Sequence, residues 1–115
     1  MKIIFILLIL IFPNIVNAEN FDFKKIVDLK DPWGSTFVDH NNILITEKSG
    51  IIKLVDITNK DIDLINHNLN FLEHGQGGLL DVLFNDDFIY ISYSENRGNW
   101  KTSTSIAKAK FNNKN

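Results

Sequence analysis

From residue 23 onward the chain alternates short apolar stretches with clusters of Asp, Asn, Gly and Pro, the residues that favour turns. No stretch repeats its apolar positions every 3.6 residues, so the pattern predicts strands rather than helices. The strands recur at intervals of roughly 8–12 residues, which is typical of sandwiches, barrels and propellers. Strands are predicted at residues 23–29, 33–38, 43–47, 51–55, 57–65, 79–84, 88–94 and 102–111.

Two segments share one rhythm of strands and turns, which favours a propeller among these folds. Each begins with glycine beside an apolar strand, passes through an Asp/Asn turn into a hydrophobic strand, and then reaches a polar turn and another strand. The first starts at Pro32-Trp33-Gly34 and the second at Gly77-Gly78. A repeat of about 45 residues with four strands is typical of propeller blades. Since about four to eight blades close a ring, we expect this chain to hold an incomplete propeller.

The first 18 residues have the pattern of a secretory signal peptide. A positive start at Lys2 is followed by an uninterrupted apolar run over residues 3–12. Val16-Asn17-Ala18 then offers small or permissive residues at the cleavage positions, so cleavage is expected after Ala18. The run is shorter than the roughly 20 apolar residues that span a bilayer, which makes an uncleaved anchor the less favoured alternative. The prediction divides the chain into a signal peptide, residues 1–18, and a periplasmic or secreted domain, residues 19–115.

Composition and charge narrow the classes of function. The chain has 115 residues, no cysteine, and 12 basic against 14 acidic side chains, which gives a formal net charge of −2. Signal cleavage removes Lys2 and leaves 11 basic against 14 acidic side chains. The lack of a basic excess argues against a nucleic-acid partner. The lack of cysteine excludes thiolate metal sites, thiol nucleophiles and disulfides, and no membrane contact is expected after signal cleavage.

The glycine-rich stretch Gly75-Gln76-Gly77-Gly78 is the most distinctive motif of the chain. It lacks the spacing of a phosphate loop or of a dinucleotide-binding turn, and no helix is predicted after it. Its glycines suit a close backbone approach at the start of a strand. They would present Gln76, whose amide carries two donors and an acceptor, to a polyol or to a quinone carbonyl at the mouth of a propeller channel.

The histidines and carboxylates suggest little chemistry by themselves. His40 and His67 are expected to be solvated turn residues. The same expectation is weaker for His74, because it precedes the glycine-rich stretch. No two histidines stand at a metal-ligand spacing. Asp86-Asp87 is expected to be an ordinary turn, and the EF-hand pattern is not met. No metal ligand is therefore assigned.

Several motifs occur in the order and at the distances found in one known family. They are Asp31-Pro32-Trp33-Gly34; Ile43-Leu44-Ile45-Thr46-Glu47-Lys48 with Ser49-Gly50; Gly75-Gln76-Gly77-Gly78-Leu79-Leu80-Asp81-Val82; Ile89-Tyr90-Ile91-Ser92-Tyr93-Ser94; and Thr104-Ser105-Ile106-Ala107-Lys108-Ala109-Lys110-Phe111. Over roughly residues 28 to 111 the chain resembles the N-terminal portion of the soluble glucose/sorbosone dehydrogenases. These proteins, also called aldose sugar dehydrogenases, use pyrroloquinoline quinone (PQQ).

The resemblance implies an all-β fold consisting of the N-terminal one to two blades of a six-bladed β-propeller. It implies that a sugar substrate is oxidised by hydride transfer to PQQ, with calcium polarising a quinone carbonyl and a histidine acting as general base. Gln76 matches the family glutamine that faces the cofactor and substrate pocket, and Lys48 stands where an arginine is common. The catalytic histidine, the calcium ligands and most cofactor contacts are expected downstream of this chain, so we expect a fragment that is inactive alone.

Two alternatives stay open beside the dehydrogenase. A non-catalytic secreted propeller would bind carbohydrate through Gln76 and Trp100. A small standalone β-sandwich would fold by itself as a soluble monomer. Outside the carbohydrate-binding alternative, Trp33 and Trp100 are expected to be packing residues, and Trp100, which lies in a polar loop, is the one that could also touch a ligand.

Overall fold

The computed structural model describes residues 19–112, and these residues form seven β-strands and no helix. The strands are β1 (Pro32–Phe37), β2 (Asn42–Glu47), β3 (Ile52–Asp56), β4 (Ile62–Ile65), β5 (Leu79–Asn85), β6 (Phe88–Asn96) and β7 (Thr102–Lys110). They form two antiparallel sheets, β1-β2-β3-β4 and β5-β6-β7, in which strands adjacent in sequence are adjacent in space. This confirms the all-β fold class. The predicted signal peptide lies outside the described residues, and the described part of the chain holds no helix that could cross a membrane.

The first sheet is a four-stranded meander, the arrangement of a complete propeller blade. Short turns connect its strands, and the first and third of these turns are built on an Asp side chain. In the β1–β2 turn the Asp39 carboxylate accepts hydrogen bonds from the backbone N–H groups of Asn41 and Asn42, both at 2.8 Å, and from the Asn42 side chain. These hydrogen bonds hold the pKa of Asp39 below its ordinary value of 3.8, and the bond from the Asn42 side chain has the largest effect. Asp56 repeats this arrangement in the β3–β4 turn.

The second sheet has three strands. The β5–β6 hairpin turns at Asp86 and Asp87, whose φ angles of 48° and 64° lie in the left-handed region that Asp tolerates better than most residues. β6 pairs with β7 along its whole length of nine residues. The Lys108 ammonium on β7 lies 3.9 Å from the centroid of the Phe88 ring on β6, a cation–π contact across the two strands.

The main apolar core lies between the two sheets. Leu44 on β2 and Leu79 on β5 are wholly buried, and each such side chain contributes roughly 1.5–3 kcal/mol by leaving water. The buried cluster as a whole consists of Leu44, Ile52, Leu54, Leu79, Val82, Ile89 and Ile91. Because both sheets contribute to it, each sheet depends on the other to cover its apolar face.

β1 and β5 face each other and run in the same direction. Gly34 on β1 lies so close to β5 that an added Cβ would stand 2.7 Å from the Asp81 Cα. Farther along, the Phe84 N–H donates to the Thr36 hydroxyl at 3.3 Å. Both strands also carry a bulge near their start. β1 and β5 therefore hold the same place in their sheets, as the first strands of consecutive blades do.

Thr46 is buried where the two sheets meet, and it links them. Its hydroxyl accepts from the Gly34 N–H at 3.1 Å and donates to the Leu80 carbonyl on β5. We expect Thr46→Val, which keeps the shape of the side chain, to lower the free energy of unfolding by about 1–3 kcal/mol because buried partners lose their hydrogen bonds. Urea unfolding of the purified protein measures this. Thr36→Val, at a hydroxyl with one long bond, is the control; equal losses in both variants would contradict the assignment.

Two predicted strands differ from the structure. Residues 23–29 have no regular secondary structure, because no strand in the described part of the chain pairs with them. The predicted strand at 57–65 shortens to β4, because the Asp56 carboxylate binds the following backbone N–H groups and Lys60 takes a φ of 67°, which together make a turn. The other six predicted strands are present, with bounds shifted by one or two residues.

Candidate functional site

One end of the two sheets carries the candidate residues. Because β1 and β5 run in the same direction, three segments meet at this end: residues 48–51 between β2 and β3, residues 72–78 before β5, and residues 97–101 between β6 and β7. We call these three segments the loop face. Backbone bonds join them to the sheets: the Leu79 N–H donates to the Lys48 carbonyl at 3.3 Å, and the Leu72 N–H donates to the Ser94 carbonyl at 2.9 Å.

Gln76 lies on a tight turn of the loop face, with its side chain exposed. The Gly77 N–H donates to the His74 carbonyl at 2.8 Å and closes the turn, and Gly75 takes a φ of 56° inside it. The exposed amide offers two donors and an acceptor to a ligand. The structure therefore places Gln76 on a turn at the start of a strand, as the sequence predicts; that it binds a cofactor stays a prediction.

The glycines below this turn let it lie directly against the neighbouring strands. Gly78 is buried with a φ of 152°, and an added Cβ would overlap the Lys48 carbonyl oxygen. The Ser94 N–H donates to the Gly78 carbonyl at 2.9 Å. A Cβ on Gly77 would stand 2.7 Å from the Ser94 hydroxyl oxygen. Backbone packing therefore fixes the base of the turn, and with it the position of Gln76.

His74 and Trp100 stand beside this turn. Their ring centroids are 5.8 Å apart and their planes are inclined by 58°. Trp100 is 75% exposed and Trp33 is 47% exposed, so the expectation that both are packing residues is wrong. Trp33 falls at the bulge of β1, and Trp100 lies in a loop with positive φ angles, so the backbone turns both side chains away from the core.

His40 and His67 have different surroundings. His40 is exposed in the β1–β2 turn, as predicted. His67 is half-buried: its Nδ1 accepts the Leu69 N–H at 3.2 Å, so Nε2 carries the proton and donates to the Gly50 carbonyl at 2.7 Å. The expectation that His67 is a solvated turn residue is therefore wrong, because it fastens the segment after β4 to the β2–β3 turn.

A buried ion pair next to the loop face is a feature that the sequence analysis missed. Glu47, the last residue of β2, is 1% exposed, and its Oε1 accepts from the Lys53 ammonium at 2.7 Å and from the Lys30 backbone N–H at 2.9 Å. Its Oε2 is buried without a hydrogen-bond partner among the described residues. The available signal was the pair Thr46-Glu47, two polar residues that continue an apolar strand without a turn between them.

The chemistry that this part of the chain offers is hydrogen bonding. Within residues 19–112, no three His, Asp or Glu side chains come close enough together to hold a metal ion, and we derive no step through calcium. The group that they present at the surface is the Gln76 amide on its fixed turn. Such an arrangement orients a ligand, since an amide neither takes nor gives a proton near neutral pH.

Comparison with known proteins agrees with the strand arrangement. The sequence model of the family Glucose / Sorbosone dehydrogenase matches residues 29–115. Similar solved structures include a glucose dehydrogenase at 27% identity and TM-score 0.68, covering 74% of this chain and 28% of that chain. Another glucose dehydrogenase has 26% identity and TM-score 0.71, with 78% and 28% covered. The apo-form of the soluble aldose sugar dehydrogenase from Escherichia coli has 27% identity and TM-score 0.66, with 74% and 26% covered.

This chain thus spans little more than a quarter of the length of the solved structures that it matches. Among curated protein sequences, none matches it significantly. The family match covers most of the chain, including the glycine-rich turn and all seven strands. The chain belongs to the glucose/sorbosone dehydrogenase family.

Proposed function

We propose that this chain supplies the first blades of a PQQ-dependent dehydrogenase that oxidises an aldose sugar, and that Gln76 contacts its cofactor and substrate. The glycine-rich turn carries the proposal. It combines the motif most specific to the family resemblance with an exposed amide on a base fixed by Gly78. When bound, PQQ supplies the hydride acceptor.

The role of Gln76 in this proposal is to bind and orient. Its N–H₂ group donates to a quinone carbonyl or a sugar hydroxyl, and its oxygen accepts from a hydroxyl. Because the turn is closed by the Gly77–His74 bond, the backbone that carries the amide is held before the ligand arrives. Such preorganisation lowers the entropy lost when the sugar carbon is brought against the hydride acceptor.

The remaining blades belong, in this proposal, to sequence outside this chain. The second sheet packs Val82 against the first sheet, but its opposite face carries Leu83 and Ile106, which are 58% and 74% exposed. These two side chains line one shallow depression together with Tyr90. A third sheet packed as the second packs on the first would cover this apolar face. The calcium ligands and the general base would come from the same outside sequence.

We also propose that the protein works in the periplasm or outside the cell, after removal of residues 1–18. The apolar run at residues 3–12 and the small residues before Glu19 support this location. Sequencing the N-terminus of the protein recovered from fractionated cells tests it. A mature protein that begins at Glu19 in the exported fraction is expected, and a cytoplasmic protein that begins at Met1 would contradict it.

Activity of the protein purified from its own cells tests the proposed reaction. With PQQ, Ca²⁺, an aldose and a dye acceptor, we expect the dye to be reduced, and we expect no turnover from residues 19–115 produced alone. Failure of the native protein to reduce the dye with any aldose would refute the reaction. Turnover by the isolated 19–115 chain would refute the proposal that the other blades are needed.

The role of Gln76 is tested in the same active protein. We expect Gln76→Ala to lower kcat/KM for the aldose by about tenfold or more, since a site group and its ligand lose their hydrogen bonds. Asn85→Ala removes another exposed amide, at the opposite end of β5, and is the matched control. Equal kcat/KM values for Gln76→Ala and Asn85→Ala would show that Gln76 does not contact the substrate.

A further inference from the structure

We propose that the Ser92 hydroxyl donates a hydrogen bond to the first strand of a following β-sheet, and that this bond fastens that sheet to the second sheet of this chain. The sheet would pack on what we call the outer face, the side chains of the second sheet that point away from the first: Leu83, Tyr90, Ser92 and Ile106. The inference rests on the further blades of the proposed function, which it deepens, and it does not depend on the sugar reaction.

Thr46 on β2 and Ser92 on β6 hold equivalent places in their sheets. In the first sheet the Gly34 N–H donates to the Thr46 hydroxyl at 3.1 Å, and this hydroxyl lies 3.4 Å from the Gly34 carbonyl oxygen. In the second sheet the Asp81 N–H donates to the Ser92 hydroxyl at 3.1 Å, and this hydroxyl lies 3.4 Å from the Asp81 carbonyl oxygen. Each hydroxyl thus binds the backbone at the bulge that starts the first strand of its sheet.

The pairing with the third strands extends the equivalence. Thr46 pairs with Ile52 in the first sheet, and Ser92 pairs with Ile106 in the second. Ile52 belongs to the core between the sheets and is 3% exposed, whereas Ile106 is 74% exposed. A sheet that packs on the outer face as the second sheet packs on the first would therefore bury Ile106.

One bond of Thr46 has no counterpart at Ser92. The Thr46 hydroxyl also donates to the Leu80 carbonyl, at the bulge of β5, and this bond joins the two sheets. Among residues 19–112, the Ser92 hydroxyl has no acceptor besides the Asp81 carbonyl, and 3.4 Å is long for a hydroxyl hydrogen bond. The Ser92 proton can therefore turn to a carbonyl on the first strand of the next sheet.

This geometry defines the partner strand. It runs in the same direction as β5, as β5 does beside β1, and it offers a backbone carbonyl opposite Ser92. Apolar side chains of its sheet fill the depression on the outer face, because apolar surface is stabilised by leaving water. Asp81 takes the place that Gly34 holds in the first sheet, so the partner strand leaves room for one more Cβ at this point.

Urea unfolding of the native protein, purified from its own cells, tests the bond. We expect Ser92→Ala to raise the equilibrium constant of unfolding by about tenfold, because covered backbone groups lose their partner, whereas on an open face water would replace the hydroxyl. Ser92→Thr copies Thr46, keeps the hydroxyl and should stay within about twofold of the unaltered protein. Ser103→Ala removes an exposed hydroxyl on the other face of the same sheet and is the matched control. Equal constants for Ser92→Ala and Ser103→Ala would overturn the inference.

Ile106→Thr tests the cover itself and keeps a β-branched side chain in the strand. Under a third sheet it loses buried apolar area and buries a hydroxyl, so we expect the equilibrium constant of unfolding to rise by about tenfold or more. A change within about twofold would mean an open face and would overturn the inference. Light scattering identifies the occupant: an unchanged mass supports a sheet of the same polypeptide, whereas dissociation of the variant would mean that a second copy covers the face and would also overturn it.

These measurements need neither PQQ nor a sugar, so they separate the inference from the proposed reaction. Losses of stability in Ser92→Ala and Ile106→Thr, in a protein that reduces no dye with any aldose, refute the reaction and keep the bond between the sheets. Dye reduction by a protein in which both variants are as stable as the unaltered chain overturns the bond and leaves the dehydrogenase standing.

Discussion

Gly78→Ala is expected to unfold or severely destabilise the protein. The added Cβ would overlap the Lys48 carbonyl oxygen, a backbone atom that no side-chain rotation can move away. Relief would require β5 to separate from the β2–β3 turn, with loss of the Leu79–Lys48 backbone bond. Overpacking of this kind costs about 1–3 kcal/mol or more, and the φ of 152° at Gly78 adds strain for a residue with a side chain. We expect a loss of at least about 3 kcal/mol.

Urea unfolding followed by circular dichroism measures the loss, with Gly98→Ala as the matched control. Gly98 also has a positive φ, 76°, but nothing lies within 4 Å of its added Cβ. The control therefore carries the backbone strain without the overlap, and we expect it to cost about 1 kcal/mol. Similar losses in the two variants would show that the contact between Gly78 and Lys48 does not constrain the fold.

Glu47→Ala is expected to cost about 3–5 kcal/mol, because it leaves the ammonium of Lys53 largely buried without its counter-charge. The Glu47 side chain is 1% exposed and that of Lys53 is 16% exposed, so little water can replace the lost carboxylate. The Lys30 N–H, which donates to the same oxygen, loses its partner as well. The effect should appear as a lower urea midpoint with an unchanged dependence of the unfolding free energy on urea concentration.

The double variant Glu47→Leu with Lys53→Met provides the control. It removes both charges and fills their volume with apolar groups, and exchanges of this kind are often close to neutral. The unpartnered Oε2 of Glu47 makes recovery more complete, since one buried acceptor is already unsatisfied in the unaltered protein. A double variant as unstable as Glu47→Ala would mean that the lost energy comes from packing rather than from an unpaired charge.

Strand positions were largely predictable from sequence because period and turn chemistry are local properties. The Asn85-Asp86-Asp87 turn and the alternation from Phe88 onward are present as predicted, since a two-stranded hairpin needs only neighbouring residues. Residues 23–29 have strand-like composition but no strand, because pairing also requires a partner at the right distance. The predicted strand at 57–65 begins only at Ile62, because Asp56 accepts hydrogen bonds from the following backbone N–H groups, which periodicity does not record.

The features of the site that could be predicted from sequence are those for which a residue type has a single structural role. The double glycine before β5 indicated a close backbone approach, and Gly78 makes one. His67 and Trp100 were misjudged because burial depends on which distant segment packs beside a residue: the Gly50 carbonyl binds the first, and the loop backbone exposes the second. Glu47 was missed for the same reason, since the Lys30 N–H that donates to it lies 17 residues away along the chain.

The order of the strands sets the order in which a growing chain can fold. Within each sheet every strand pairs with its neighbour in sequence, so the first sheet can be complete once the chain up to residue 65 is free to fold. Contacts between sequence neighbours form fast because little chain entropy is lost in closing them. The apolar face that includes Leu44 then stays uncovered until the next two strands pack against it. Folding can therefore proceed sheet by sheet, and the first sheet exposes this apolar face only until the second sheet covers it.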